Sequence, residues 1–584
     1  MFRHLIQCPR PYLFHGFRRV NASRAFSQAP CFRQTEKSRD VTHDYEKRVA
    51  QLQAQRPLVE CYPRLSSREE TPLLDRKLCS AAHVHTVANE IQNGEIVTQH
   101  GSTTLTGMLY YDPKPAVPVA DRIRQGEVSS KLVFVDIQCE DGSIQVVSQL
   151  GKLTDISPSQ FKDSTRTIRK GDWYSFSGWP HKTQRGEVSL LANQLPHLLS
   201  PSLHQIPETL DDAETRARNR HVDMLANPSS VQPLLVRHHV VQALRNHLNK
   251  TEFIEVTTPL LTAGAGGAVA RPFETEATEL EGQKLNLRIA PELWLKRLIV
   301  GGMSRIYEIG PAFRNEGVDA THNPEFTICE FYEACATLDN LMTKTEVLLR
   351  EMKQRIDEAR AAASSDPKSP GSSRLKGLPE VTLDIQSPFK RLEFIPALEE
   401  AMKTPLPDLS TPDAHEDLLS LFTAKNLDIP SKPTLPRLLD ALAAHYLEPL
   451  CTQPTFITHH PAALSPLSKH FPCPHTGQTI AARAELFIFG REYANMYEEE
   501  NSPFEQRRKF LEQLRYRDVD GEGDGVKEVD ESYLEALEWG MPPTGGWGCG
   551  VDRLVMLFSG RERMSEVLAF GSLRNVVGLG TGRK

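Results

Sequence analysis

Apolar and polar positions are most sharply ordered in the middle of the chain. Ile306 to Phe313 is an apolar run that ends at Arg314, and His322-Asn323-Pro324-Glu325-Phe326 opens a second run after turn chemistry at Gly317 and Asp319. This pattern predicts two strands joined by a loop. Nearer the N-terminus LVFVD at 132–136 alternates, Asp141-Gly142 is a hairpin signal, and SIQVV at 143–147 returns. Strands are also expected at 105–111, 172–178 and 187–191. Five short strands with Gly-rich turns predict an OB-fold β-barrel over residues 96–205. Leu234, Val241, Leu244 and Leu248 recur at helical spacing, and a strand at 253–256 follows, leading to Pro259. An amphipathic helix is expected over about 338–361, then a Ser/Pro/Gly-rich linker at 361–373, then further helices to 444. Another helix is expected near 40–55.

Length and composition narrow this picture. A chain of 584 residues is too long for one core, so two or three domains are expected. Hydrophobic residues at 39% and charged residues at 24% describe a globular protein, with no apolar run approaching the ~20 residues of a membrane span. A net charge of −7 does not argue for nucleic-acid binding, which would need a local basic face. The ten cysteines include no CxxC pair, which suggests neither a zinc ribbon nor a redox dithiol and fits a reducing compartment. Residues 1–35 carry six Arg and no acidic side chain, the composition of a mitochondrial transit peptide. Cutting after Phe26, beyond Arg24, would take the net charge from −7 to −12. The alternative is a basic arm that contacts RNA.

The strand pair around Arg314 also carries candidate chemistry. It can set a guanidinium and an aromatic ring on one side of a sheet, suited to the phosphate and base of a nucleotide. The alternative is a hairpin with a structural Arg–Glu pair. AGAGGAVARPFET at 263–275 would let a ligand approach backbone amides, although no Lys-Ser/Thr follows it as in a phosphate loop.

FRNEG…HNPEFT resembles motif 2 of class II aminoacyl-tRNA synthetases, and LRIAPELWLKRLIVGG before it resembles the lysyl branch of subclass IIb. The likeness runs from about residue 130 to about 568. The 228–262 segment resembles motif 1, GGWGCGVDRLVML resembles motif 3, and FITHHPAALSPLSK and AELFIFGREYANMYEEE resemble segments between them. FVDIQCEDGSIQV and GWPHKTQRGEVSL are similar to the anticodon-binding barrel.

The resemblance implies an α+β architecture: an OB-fold barrel, then a class II antiparallel-sheet catalytic domain. Its divisions are a transit peptide (1–35), an N-terminal extension (36–95), the barrel (96–205), a polar hinge (206–227) and the catalytic domain (228–584) with a helical insertion at about 338–440. It implies activation of L-lysine with ATP and Mg²⁺, transfer to tRNA(Lys), and a homodimer built through motif 1. Arg314 and Arg553 would be catalytic, with Glu316, His322, Asn323 and Phe326 also at ATP. Gly266, Glu292, Glu330, Tyr332, Asn495, Tyr497 and Glu499 would bind lysine. Glu485 and Glu492 would hold Mg²⁺, since hard cations take carboxylate and phosphate oxygens. Phe134, Gln145 and Glu187 would read the anticodon by stacking and edge hydrogen bonds.

The chain departs from the family pattern at Thr321, where Arg is usual, at Asn501-Ser502-Pro503 and in MSEVLAFGSLR. Three alternatives stay open. The nearest alternative enzyme is an aspartyl- or asparaginyl-tRNA synthetase, but an aspartate side chain would need a cationic pocket, which Glu330 and Glu499 oppose. A protein-lysylating paralogue would lack the barrel. A tRNA-binding or import factor on a decayed synthetase fold would not need Arg314, Glu316, Phe326 and Arg553.

Overall fold

The computed structural model describes residues 37–64, 81–98, 103–109, 114–115, 131–139, 142–263, 270–280, 282–365, 375–385, 388–520, 529–573 and 575–576. The transit-peptide segment, Gly266 and most of the 361–373 linker lie outside them.

Five strands of the seven-stranded N-terminal sheet form its body: β1 (Thr103–Leu109), β2 (Leu132–Cys139), β3 (Gly142–Gln149), β4 (Trp173–Lys182) and β5 (Val188–Ala192), with short strands at Lys114–Pro115 and His197–Ser200 added at β2 and β4. Each strand pairs with two of the others, in the order β1-β2-β3-β5-β4 and back to β1. Only the β3–β5 pairing is parallel within this ring. Alternation decides the faces: Val135, Ile137, Ile144 and Val146 point into a core shared with Leu105, Phe176 and Leu190. Gly142 pairs with Cys139 at the end of this strand pair, and Asp141 of the expected hairpin signal lies outside the described residues.

The 36–95 extension packs on this sheet through a helix at Lys37–Gln53. Arg48 reaches Asp172 at 2.7 and 3.0 Å, with both side chains buried. Residues 206–227 are not a loose hinge. Two short helices, Ala213–Arg218 and Arg220–Ala226, are tied by Arg216 and Arg220, each 2.8 Å from the buried Asp223 carboxylate. Arg220 also donates to the Glu566 carbonyl at 2.9 Å. The polar composition that suggested a hinge is consumed by these internal ion pairs.

The second half of the chain is organised on one sheet. Its strands are β6 (Ile254–Glu255), β7 (Arg305–Phe313), β8 (Glu325–Ala334), β9 (Lys390–Glu393), β10 (Thr455–Thr458), β11 (Arg483–Ile488), β12 (Arg491–Glu498) and β13 (Thr544–Gly550). Their order is β9-β10-β11-β12-β13-β8-β7-β6, antiparallel except at the two outer pairs. Period-two alternation in β8 turns Cys329 and Phe331 into a hydrophobic core and Ile328, Glu330 and Tyr332 to the other face. Phe331 stacks on Trp547 at 4.9 Å, and the indole N–H donates to Thr345 at 2.9 Å.

The helices of that core are α1 (Gln232–Lys250), α3 (Leu338–Ser365) and α6 (Val551–Ser559); α2 (Glu292–Val300), α4 (Pro503–Asp520) and α5 (Glu531–Glu538) border the open face of the sheet. The buried stripe of α1 runs through Val236, Val240, Leu244 and Leu248, so Leu234 and Val241 fall at its half-buried margins. The insertion contributes helices at Phe394–Met402, Ala414–Ala424 and Leu435–Tyr446, which share a separate core under β10.

Candidate active site

The open face of the sheet forms the floor of a cavity of about 740 Å³, a volume typical of small-molecule sites. Its two ends differ in chemistry.

At one end β7 and β8 deliver Arg314 and Phe326. Ala312 pairs with Phe326 and Phe313 with Glu325, and the Arg314 N–H donates to the Pro324 carbonyl at 2.8 Å, so Arg314, two residues beyond Ala312, shares the face of Phe326. The Arg314 guanidinium carbon lies 5.1 Å from the Phe326 centroid, a cation–π contact, and its Nε has no hydrogen-bond partner. Asp319 shapes the loop by accepting the Thr321 and His322 N–H groups at 2.6 and 2.8 Å, and its second oxygen meets His322 Nδ1 at 2.8 Å. Burial alone would raise this carboxyl, but these donors pull it to about 2. His322 Nε2 in turn faces Arg553 Nη2 at 3.1 Å. Thr321, the departure from the family pattern, thus serves the Asp319 turn. Asn323 is spent on structure: it donates to the Glu325 carbonyl at 2.6 Å and accepts from Leu573 N at 3.0 Å. Glu316 is exposed on the cavity rim.

The middle of the cavity is set by the β11–β12 hairpin. Its two-residue turn, Phe489-Gly490, has both φ angles positive (52° and 69°), the conformation that matches the strand twist. Glu485 and Glu492 share one face because Phe487 pairs with Glu492. Strict alternation would then send Asn495 and Tyr497 to the far face. A bulge beside Leu486/Phe487 inserts one residue into β12 and returns both to the cavity. Glu485 is ion-paired with Arg483 and lies 3.1 Å from His460 Nε2; these two groups hold its carboxyl low despite burial. Glu492 meets Arg553 at 3.3 Å, yet burial and the Glu485 charge raise its carboxyl. Nearby Glu448 is pushed to about 7 by burial and then by Asp440, Glu485 and Glu492.

This crowding of carboxylates suits a divalent cation, and both donors are of the hard oxygen type such an ion takes. Among the described residues no three His, Cys, Asp or Glu side chains converge to hold a metal by themselves. As two carboxylate donors, Glu485 and Glu492 would fit an ion that takes its remaining ligands from bound substrate oxygens.

The far end is closed and acidic. Glu330, Glu292 and Glu499 are all buried. Tyr332 donates to Glu330 at 3.1 Å and Tyr497 to Glu292 at 2.6 Å. Burial and the neighbouring Glu292 charge raise the Glu330 carboxyl to about 8. Glu499 has no exposed side-chain surface and is ion-paired with Lys296. Glycines of β13 make this end possible: Gly546 and Gly548 face Tyr332 and Glu330 across the strand pair. A Cβ on Gly546 would sit 2.7 Å from the Tyr332 ring and overlap Glu499. Gly546→Ala is therefore expected to destabilise the protein by about 1–3 kcal/mol, the usual range for overpacking. Chemical denaturation checks this, and an unchanged midpoint would contradict the packing described.

The cavity thus gathers thirteen of the residues singled out from sequence. Glu499 stands behind its wall. Lys296, Arg483, His460 and Glu448 were not foreseen. Lys296 had a signal, since it follows Glu292 by four residues on one helix.

In the first domain, register puts Phe134, Asp136 and Gln145 on one face, because Asp136 pairs with Gln145. Gln145 pairs in turn with Ser189, two residues beyond the exposed Glu187. Phe134 and Gln145 are half-buried, and the Gln145 Oε1 has no hydrogen-bond partner.

Residues 212–574 match the family model for tRNA synthetases class II (D, K and N). The chain belongs to the class II tRNA synthetases. Among relatives of this family, a lysine–tRNA ligase (cla4) of Cladosporium cladosporioides is 39% identical over 79% of this chain and 76% of its own. The mitochondrial lysine–tRNA ligase of Schizosaccharomyces pombe is 39% identical over 76% of this chain and 82% of its own. The lysine–tRNA ligase of Staphylococcus epidermidis is 38% identical over 78% and 88%. As a class II synthetase, the chain has its sheet, its arginine-bearing loop and its glycine-rich β13 within the matched region.

Proposed function

We infer that this protein activates L-lysine with ATP and transfers it to the 3′-terminal ribose of tRNA(Lys). The observation that carries this reading is the pairing of a cationic, aromatic end of the cavity with a closed end lined by buried carboxylates. An ammonium side chain satisfies those carboxylates, whereas an aspartate side chain would add a like charge.

The reaction is an in-line attack by the lysine carboxylate on the α-phosphate, with pyrophosphate leaving, so the substrate is its own nucleophile. Two anions meet, and the site's work is alignment and charge neutralisation. Arg314 would take the α-phosphate and Phe326 the adenine face. Arg553, held by Glu492 and His322, would take the distal phosphates. Glu485 and Glu492 would hold Mg²⁺, which when bound offsets phosphate charge. Glu330 with Tyr332 takes the side-chain ammonium, with Glu499 behind them, while Glu292 takes the α-amino group and Asn495 and Tyr497 wall the pocket. Gly266 is assigned to the same ligand from the family resemblance.

The ring of five strands is read as an OB-fold that binds the anticodon, with Phe134 stacking and Gln145 and Glu187 at base edges. A homodimer through motif 1 is supported by the exposed Ile254, Leu260 and Leu261 that follow α1. The arginine-rich 1–35 segment and the mitochondrial relative support a mitochondrial matrix location.

Charging of a tRNA(Lys) transcript tests the whole reading. Phe134→Ala is expected to raise KM for tRNA by about 10-fold, from one lost base stack of ~1–3 kcal/mol. Lysine-dependent ATP–pyrophosphate exchange should stay unchanged. A variant that charges normally would remove Phe134 from the interface, and a loss of both activities would place it in the core.

A further inference from the structure

Lys296 is a fully buried cation in the acidic end of the cavity, and nothing above gives it a task. It lies one turn along α2 from Glu292, and its Nζ is 2.6 Å from Glu292 Oε1. The same ammonium is ion-paired with Glu499, which enters from the segment just after β12. It also sits 5.6 Å from the Tyr497 ring centroid. Among the described residues it is the one cation paired with either carboxylate. The other titratable groups facing the cluster are Glu330 and Tyr332 from β8 and Tyr533 from α5, whose hydroxyl is buried without a partner. Burial opposes the charged form of Lys296, but Glu292 and Glu499 together outweigh it and keep the ammonium.

Burial raises the Glu330 and Glu499 carboxyls in the empty pocket, and the substrate's ammonium groups favour their ionised forms; in that bound state this closed end holds three carboxylates and one ammonium. Two negative charges are left over, as many as the two ammonium groups of a free diamino acid. We propose that Lys296 is the positioning residue that sets this balance, clamping Glu292 to Glu499 so that the pocket selects a substrate with two ammonium groups. The inference rests on the lysine reading of the pocket. A surface i,i+4 pair would contribute little. Here the pair joins two elements, α2 and the end of β12, and removing the cation would leave buried carboxylates uncompensated.

The test compares wild type, Lys296→Met and Lys296→Arg in ATP–pyrophosphate exchange, with separate KM values for lysine and ATP and a pH profile for each. K296M is expected to raise KM for lysine at least 100-fold and to move the rise of lysine affinity to higher pH, as Glu499 loses its cation. KM for ATP should stay within threefold. K296R should recover part of the loss. A folded K296M with an unaltered lysine KM overturns the proposal, and so does an equal rise in both KM values. If K296M does not fold, Lys296→Gln, which removes the charge but can still hydrogen-bond both carboxylates, carries the test under the same criteria: its lysine KM should rise at least 100-fold, and a rise below threefold overturns the clamp. Wild-type exchange with a different amino acid would sink the lysine reading itself, an outcome separable from failure of the clamp.

Discussion

Arg314→Ala is expected to slow adenylate formation by about 10²–10³-fold, the usual loss when one preorganised charge-stabilising donor is removed. The side chain stands at the end of β7, half-buried against Phe326, with its Nε free. Among the described residues that line the cavity, the other two guanidiniums are engaged elsewhere, Arg553 by Glu492 and His322 and Arg483 by Glu485. The loss should appear in the single-turnover rate with saturating ATP, since negative charge concentrates on the α-phosphate in the transition state. Arg314→Lys should recover little, because a point charge does not reproduce a planar fork stacked on a ring. A variant with normal single-turnover rates would move the α-phosphate elsewhere in the cavity.

Glu330→Gln is expected to lower kcat/KM for lysine by about 10²–10³-fold, matching the ~3–5 kcal/mol of a broken buried ion pair. It should also change the pH behaviour of the empty protein. Burial and Glu292 hold the Glu330 carboxyl at about 8, above its ordinary value of 4.5. An acid whose folded pKa is raised adds no cost while protonated, and its contribution to stability is lost as pH rises from about 4.5 through about 8. Lysine reverses the preference, since its ammonium favours the carboxylate. Below about pH 8 binding should release a proton from Glu330, and affinity should rise with pH. Calorimetry in buffers of different ionisation enthalpy reads that proton directly. Glu330→Gln should bind weakly with no such release; a wild type that binds lysine without proton release would contradict the assignment.

The sheet strands were legible because alternation is a property of the pleat. The run expected at 306–313 is observed at 305–313, and the return strand carries Phe326, Glu330 and Tyr332 on one face. Helix α1 was legible in existence but not in orientation. His247 is buried against Glu351 at 2.9 Å, and a core position held by an imidazole is invisible to a hydrophobic pattern. The bulge that brings Asn495 and Tyr497 beside Glu492 was not legible either, since an inserted residue leaves no compositional trace. Asp319 read as a turn former, and it is one, but its hold on His322 depends on the folded loop. A Glu and a Lys four apart, as at Glu292 and Lys296, ordinarily mark a solvated helix face. What reversed that expectation is burial of the face by β12 and α5, which no local spacing encodes.

ATP–pyrophosphate exchange on the protein beginning at Ser27, with each of the twenty amino acids in turn and Mg²⁺ present, tests the central claim most directly. Exchange with lysine alone, lost in Glu330→Gln, is the result expected from a pocket of three buried carboxylates and one resident ammonium. Exchange with aspartate or asparagine would contradict it, and so would folded protein that exchanges with no amino acid at all.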